Sequence, residues 1–205
     1  MTAETLKNSI LQQAIQGKLT EQLPTDGNAS DLLKKISAER QKLIDAGKIK
    51  NEKSLPPISA EEIPFDIPEN WQWVRLGNIG IYKKGPFGSS LTKKIFVPKG
   101  NDTIKVYEQK NAIQKNALLG DYYISQKYFE EKMKSFEIQA GDIIVSCAGT
   151  IGESYIMPDN MEKGILNQAL MRMKLLSPIN LKYFLVFLDF ILKRDANLTR
   201  CVNKK

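Results

Sequence analysis

Four prolines between residues 56 and 68 constrain this 205-residue chain more than any other feature. Pro56, Pro57, Pro64 and Pro68 fix φ, remove backbone donors and push the residues before them toward extended conformations. The stretch 47–70 is therefore expected to be a semi-rigid connector rather than a helix or an inner strand. The apolar residues follow different periods on its two sides. Before it, Leu6, Ile10, Leu11, Ala14, Ile15 and Leu19 recur every three or four residues, which predicts a helix over 4–19. Pro24–Asn28 reads as a turn. A second helix is expected from an N-cap at Ser30 to Ala46, with Leu32, Leu33, Ile36, Leu43 and Ile44 apolar and Gly47 ending it. After the prolines the pattern shortens. Strands are expected at 71–77, 79–82, 103–107, 142–147, 153–157 and 168–175, and helices at 126–134 and 180–193. The fold class is α+β: an N-terminal helical arm at about 1–58, then a strand-rich domain at about 59–205.

Two short helices cannot hold themselves together in water. The arm either docks on its own domain or offers its apolar stripe to a partner, which includes another arm in coiled-coil fashion.

Composition removes several kinds of chemistry. The chain has no histidine, so Ser-His and Cys-His nucleophiles, imidazole metal sites and imidazole acid-base work are absent. Cys147 and Cys201 have no partner motif, and Cys147 reads as a small buried thiol. Glu61-Glu62 and Glu130-Glu131 fall on segments expected to be solvated. The longest apolar run, Tyr183–Leu192, is interrupted by Asp189 and is too short to span a bilayer. The first residues are polar and amphipathic, unlike a signal peptide, which points to the cytoplasm.

The formal net charge is +7. Residues 83–115 hold eight lysines (83, 84, 93, 94, 99, 105, 110 and 115) against Asp102 and Glu108, a local balance of +6. Such a run is either a solvated face or a phosphate-binding surface. The same stretch carries amides and hydroxyls suited to hydrogen bonding. In the DNA-binding reading, Lys83, Lys84, Lys93, Lys94 and Lys110 meet phosphates, and Lys105 counts among the DNA-binding residues. Gln109 and Asn111, beside Tyr107, then match an adenine edge, and Ser89 and Ser90 near Gly88 seat a phosphate. The alternative for Gln109 and Asn111 is a polar loop in solvent, and for Ser89 and Ser90 an ordinary turn.

Gly141–Gly152, GDIIVSCAGTIG, reads as a buried strand emptying into a glycine-bracketed loop, the kind of backbone that can approach another molecule closely. Its Ala148–Ser154 part lacks the Gly-Lys-Ser/Thr ending of a nucleotide-binding loop, so it reads as a structural turn. Fifteen residues after Gly149 a second run begins at Gly164, and Asn167 and Gln168 are placed to hydrogen-bond the turn there.

The order of these segments resembles the specificity subunits of type I restriction-modification systems. Trp71-x-Trp73-x-x-Leu76-Gly77, Lys84–Ser90, Lys105–Asn111, Gly120–Ile124, Gly141–Ile144, Gly149–Gly152 and Asn167-Gln168 are similar to successive segments of that family's target recognition domain. Leu6–Leu19 resembles its conserved helical region. The resemblance implies a non-catalytic subunit, with no cofactor of its own, that reads one half of a bipartite site in double-stranded DNA. It also implies partners: a modification subunit that uses S-adenosylmethionine for DNA methylation and an ATP-driven restriction subunit. The arm is expected to dock the modification subunit or the arm of a second copy, as a homodimer. Family members usually carry two recognition domains and two helical regions, and this chain has one of each. The ending Asn197–Lys205 points to a half-subunit, a truncated cassette or an expressed fragment, with the domain incomplete at its C-terminal side. Two readings compete with this one: an interaction scaffold without specific DNA binding, and a small enzyme built on carboxylates or Lys105.

Overall fold

In the computed structural model of the chain, residues 2–51, 53–176 and 179–194 are described. Two compact units form, one from Met1–Gly80 with Leu175–Phe187, the other from Ile81–Lys174 with the chain from Leu188. Cys201 and the segment 197–205 lie outside the described residues.

The first unit holds helices α1 (Ala3–Ile15), α2 (Ala29–Asp45) and the single turn α3 (Leu76–Ile79). Thr2 caps α1 by accepting from the Thr5 amide at 3.2 Å, and Asn28 caps α2 by accepting from the Ser30 amide at 2.8 Å. The cap of α2 is thus two residues before the expected Ser30. The proline-rich stretch is extended apart from a short 3-10 turn at Ala60–Glu62. It packs on its own unit instead of standing clear. The Arg75 guanidinium donates to the Pro56 and Pro57 carbonyls at 2.8 and 2.9 Å and pairs with Glu62 at 2.8 Å. That hydrogen-bonded pairing holds the Glu62 carboxyl down at about 2. Arg40 of α2 reaches the Gly77 and Gly80 carbonyls.

The expected strand at 71–77 does not form. Its aromatic alternation serves side-chain packing: Trp71 Nε1 donates to Gln22 Oε1 at 3.0 Å, and its ring meets Tyr183 edge-on. Trp73 stands edge-on to Phe65, with ring centres 5.0 Å apart. A cavity of about 850 Å³ lies among Leu33, Ile36, Leu55, Ile58, Trp71 and Trp73.

The second unit is built on two four-stranded sheets. Its strands are β1 (Gly80–Lys84), β2 (Thr103–Tyr107), β3 (Tyr123–Ser125), β4 (Glu137–Ile138), β5 (Ile143–Ser146), β6 (Ser154–Ile156), β7 (Gly164–Leu166) and β8 (Leu170–Leu175). One sheet runs β1-β8-β5-β6 and the other β3-β2-β7-β4. In the second sheet β2 and β7 are parallel, with Lys105 opposite Gly164, and the outer strands are antiparallel. The short β3 and β7 were not expected from the sequence. Helix α4 (Gln109–Ile113) follows β2, and α5 (Gln126–Tyr128) continues as a π turn at Phe129–Met133. Helix α6 (Leu181–Arg194) is the last described element.

Strands β2 and β7 are buried on both faces. Ile104, Val106 and Ile165 pack with Leu91, Ile124, Phe129 and Met133. The alternate residues Tyr107 and Leu166 pack with Ile144, Met157 and Leu170. Gly164 makes the parallel pairing fit, since a Cβ there would lie 2.3 Å from the Tyr107 ring. Among the described residues no helix is long and apolar enough to cross a membrane.

Candidate nucleic-acid interface

The eight lysines of 83–115 divide into two groups. Lys105 points inward, 1% exposed, because β2 alternation puts it on the Tyr107 side of a strand covered on both faces. Its ammonium donates to the Leu118 carbonyl at 3.1 Å and pairs with Glu162 at 3.2 Å. Glu162 also takes Lys99 at 2.7 Å, Lys110 pairs with Glu108 at 2.8 Å, and Lys115 with Glu153 at 2.8 Å. Burial raises the Glu162 carboxyl, but hydrogen bonds and charge from Lys99 and Lys105 outweigh it and hold the group below its ordinary range. Four lysines remain. Lys83 sits over the Phe136 ring at 4.6 Å. Lys84, Lys93 and Lys94 are exposed, with no carboxylate partner among the described residues.

Of the two expected base readers, Asn111 is a core residue, as is Tyr107 beside them. Tyr107 is fully buried, and its hydroxyl donates to the Glu162 carbonyl at 2.7 Å; burial, aided by the Glu162 charge, pushes this phenol well up. Asn111 is fully buried too. Its Oδ1 accepts from the Glu108 amide at 2.7 Å, and its Nδ2 donates to the Asn116 and Leu119 carbonyls at 2.9 and 2.8 Å. That side chain closes the loop after α4 and has little capacity left for an outside partner. Tyr107, Asn111 and Lys105 are therefore corrected from surface contacts to supports of the surface. Gln109 differs. It lies at the surface and donates through Nε2 to the Ala148 carbonyl at 2.6 Å.

That bond leads to a rim assembled from segments distant in sequence. The Gly85 amide donates to the Leu170 carbonyl at 2.8 Å, and Cys147 N to Ala169 O at 2.8 Å. Asn167 N donates to Tyr107 O at 3.0 Å, while Asn167 Oδ1 accepts from the Ala169 amide at 3.0 Å and closes its own turn. At Gly85 a Cβ would stand 1.8 Å from the Asn167 carbonyl oxygen, so only glycine lets the two chains meet there. The ends of β1, β2, β5 and β7 and the start of β8 thus converge. Lys84, Phe87, Gly88, Ser89, Ala148, Gly149, Thr150 and Gln168 are exposed on these segments. Ser89 and Ser90 sit on a 3-10 turn at Gly88–Ser90, with the Ser90 carbonyl accepting from Tyr128 Oη at 2.8 Å. Burial pushes the Cys147 thiol up against the pull of the Lys84 charge, so it stays a protonated core group. Sequence reasoning missed Phe87, Thr150 and the rim itself. Its visible traces were the glycine-bracketed loop at 141–152 and the run from Gly164 to Gln168. Among the described residues no group of three or more Cys, Asp or Glu is arranged to hold a metal ion.

Residues 68–203 match the family model of the type I restriction modification DNA specificity domain. The chain belongs to this family. Every candidate residue named above lies within the matched span. The type I restriction enzyme EcoEI specificity subunit of Escherichia coli is 32% identical over 200 residues, covering 91% of this chain and 32% of that protein. The EcoAI specificity subunit, also of Escherichia coli, is 51% identical over 84 residues, 41% of this chain and 14% of that protein. The chain thus spans about a third or less of the length of these curated relatives. Of solved structures, the crystal structure of the HsdS subunit from Thermoanaerobacter tengcongensis superposes with a TM-score of 0.46 at 14% identity, over 98% of this chain and 41% of that one.

Proposed function

We propose that this chain is a non-catalytic, sequence-reading component of a type I restriction-modification system. In this reading residues 59–205 read one half of a bipartite duplex site. Residues 1–58 form an arm that docks a modification subunit or a second copy of the chain. Methylation and cleavage then belong to the modification and restriction subunits. The observation that carries the DNA-binding part is the division of the lysines: four are neutralised by the chain's own carboxylates, whereas Lys84, Lys93 and Lys94 keep their charge for an outside anion. Phosphates are the anions a lysine cluster of this kind meets on DNA, and in this reading the amides of Gln109 and of the exposed Gln168 meet base edges. Ser89, on the exposed turn, is a further phosphate contact.

Salt dependence tests the assignment. Replacing Lys93 and Lys94 together with Ala should flatten the slope of log affinity against log salt by roughly 0.9 per lost contact, similarly on every duplex. An unchanged slope removes both residues from the interface. Gln109→Ala should instead change which sequence is preferred, and a uniform loss of affinity would refute base reading by Gln109.

A second reading, a protein-interaction scaffold, draws on the arm, where Leu6 is 50% and Ile10 45% exposed. Duplex affinity no better than that of any protein of equal charge would favour it.

A further inference from the structure

Phe87 is 81% exposed, more than any other large apolar side chain among the described residues. Removing such a ring from water would be worth about 1.5–3 kcal/mol, and nothing in the described chain collects that gain. Its setting is nonetheless fixed on both sides. Before it, Gly85 is pinned to the 167–170 turn and Pro86, with φ locked by its ring, is buried. After it, the Ser90 amide donates to the Phe87 carbonyl at 2.9 Å, Tyr128 holds the Ser90 carbonyl, and Leu91 is buried in the core. The ring is thus presented from a held turn, not from a slack loop.

The chain around it says what meets it. Lys84, Gly88, Ser89, Thr92, Lys93 and Lys94 are exposed, and they are cationic, small or polar. An apolar protein partner would need an apolar surround, which this loop lacks. A partner combining negative charge with flat apolar faces is a nucleic acid. Resting on the function proposed above, we propose that Phe87 is a wedge that stacks on, or inserts between, bases of the bound duplex. A phenyl ring has no donor or acceptor, so its contribution is affinity and distortion of the DNA rather than choice of base. Distortion is easiest at TA and CA steps, which unstack readily.

The test uses the full chain, alone and with its modification subunit, on a short duplex with a central TA step and a donor–acceptor dye pair at its ends. Anisotropy reads affinity and energy transfer reads bending. Phe87→Ala should bind about tenfold or more weakly, within the range of losing one stacked base, and should lose the bend. Its salt slope should stay that of the wild type, unlike that of the lysine variant. Phe87→Trp should restore both affinity and bend. Because the ring is exposed, the Ala variant should fold normally, which circular dichroism checks. Wild-type affinity and bend in Phe87→Ala would overturn the wedge while leaving DNA binding standing. So would loss of modification-subunit association with duplex binding intact, which would make Phe87 a protein contact. A wild-type chain that binds no duplex in either form would overturn both the wedge and the function it rests on.

Discussion

The two units solve the burial problem differently. In the sheet unit Tyr107, Ile144, Ile165, Leu166 and Leu170 are each fully buried, and β2 and β7 share their residues between two apolar clusters. In the helical unit α1 and α2 each bury a single side chain, Ile15 and Ile36. Leu6, Ile10, Leu19, Leu23, Leu55 and Ile63 stay between 42% and 55% exposed. Specific polar ties take over there: Trp71 to Gln22, Arg40 to two carbonyls, Arg75 to three partners. A cavity of about 850 Å³ remains beside them. The sheet unit fills a shared apolar core and leaves single side chains such as Phe87 and Leu118 outside it, whereas each long helix of the helical unit buries one side chain and keeps a stripe of half-exposed ones.

The contrast can be broken most severely in the sheet core. Ile144→Ala should cost about 2–5 kcal/mol in urea unfolding, since the surrounding strands cannot collapse into the space. A loss below 1 kcal/mol would mean the core is looser than its burial implies. A smaller effect is expected at the Lys99–Glu162–Lys105 group. Glu162→Gln leaves the Lys105 ammonium buried without its charge partner, and should cost about 1–3 kcal/mol. This is less than the ~3–5 kcal/mol of a fully buried pair, because a third of the Glu162 side chain meets water. The Glu162 carboxyl is held below its ordinary value near 4.5. Its contribution is therefore present above that value and lost as pH falls through the lower, folded one. Stability should decline below about pH 4.5 in the wild type and decline less in Glu162→Gln, as read by denaturant midpoints across pH. The smallest effect belongs to the helical unit: Ile10→Ala on α1 should change stability of the isolated chain by no more than about 0.5 kcal/mol. If it also weakens association with the modification subunit, the exposed stripe is an interface; equal stability and equal association would end that role.

Much of this was legible from the residues. The helices at 3–15 and 29–45 follow from periodic apolar positions and polar caps, and β2 was placed residue for residue by its β-branched and aromatic content. The same strand shows where legibility stops. Its charge reads as surface, but a strand covered on both faces buries every position from Ile104 to Tyr107, and Lys105 follows Tyr107 inward. Trp71–Gly77 fails in the opposite way. Alternation there mimics a strand, yet among the described residues no strand pairs with it, and both indoles go to side-chain contacts. Strands as short as β3 and β7 exist only through their neighbours. The rim depends on strand ends brought together from residues 85, 109, 147–149 and 167–170, a proximity no local pattern encodes.

The central claim, that the sheet unit reads DNA through this rim, is tested most directly by selecting bound molecules from a random duplex library with the full chain, with and without the modification subunit. Enrichment of one short motif, altered by Gln109→Ala and left unchanged in sequence by the Lys93 and Lys94 substitutions, is the expected result. A folded chain that enriches no motif in either condition would contradict it.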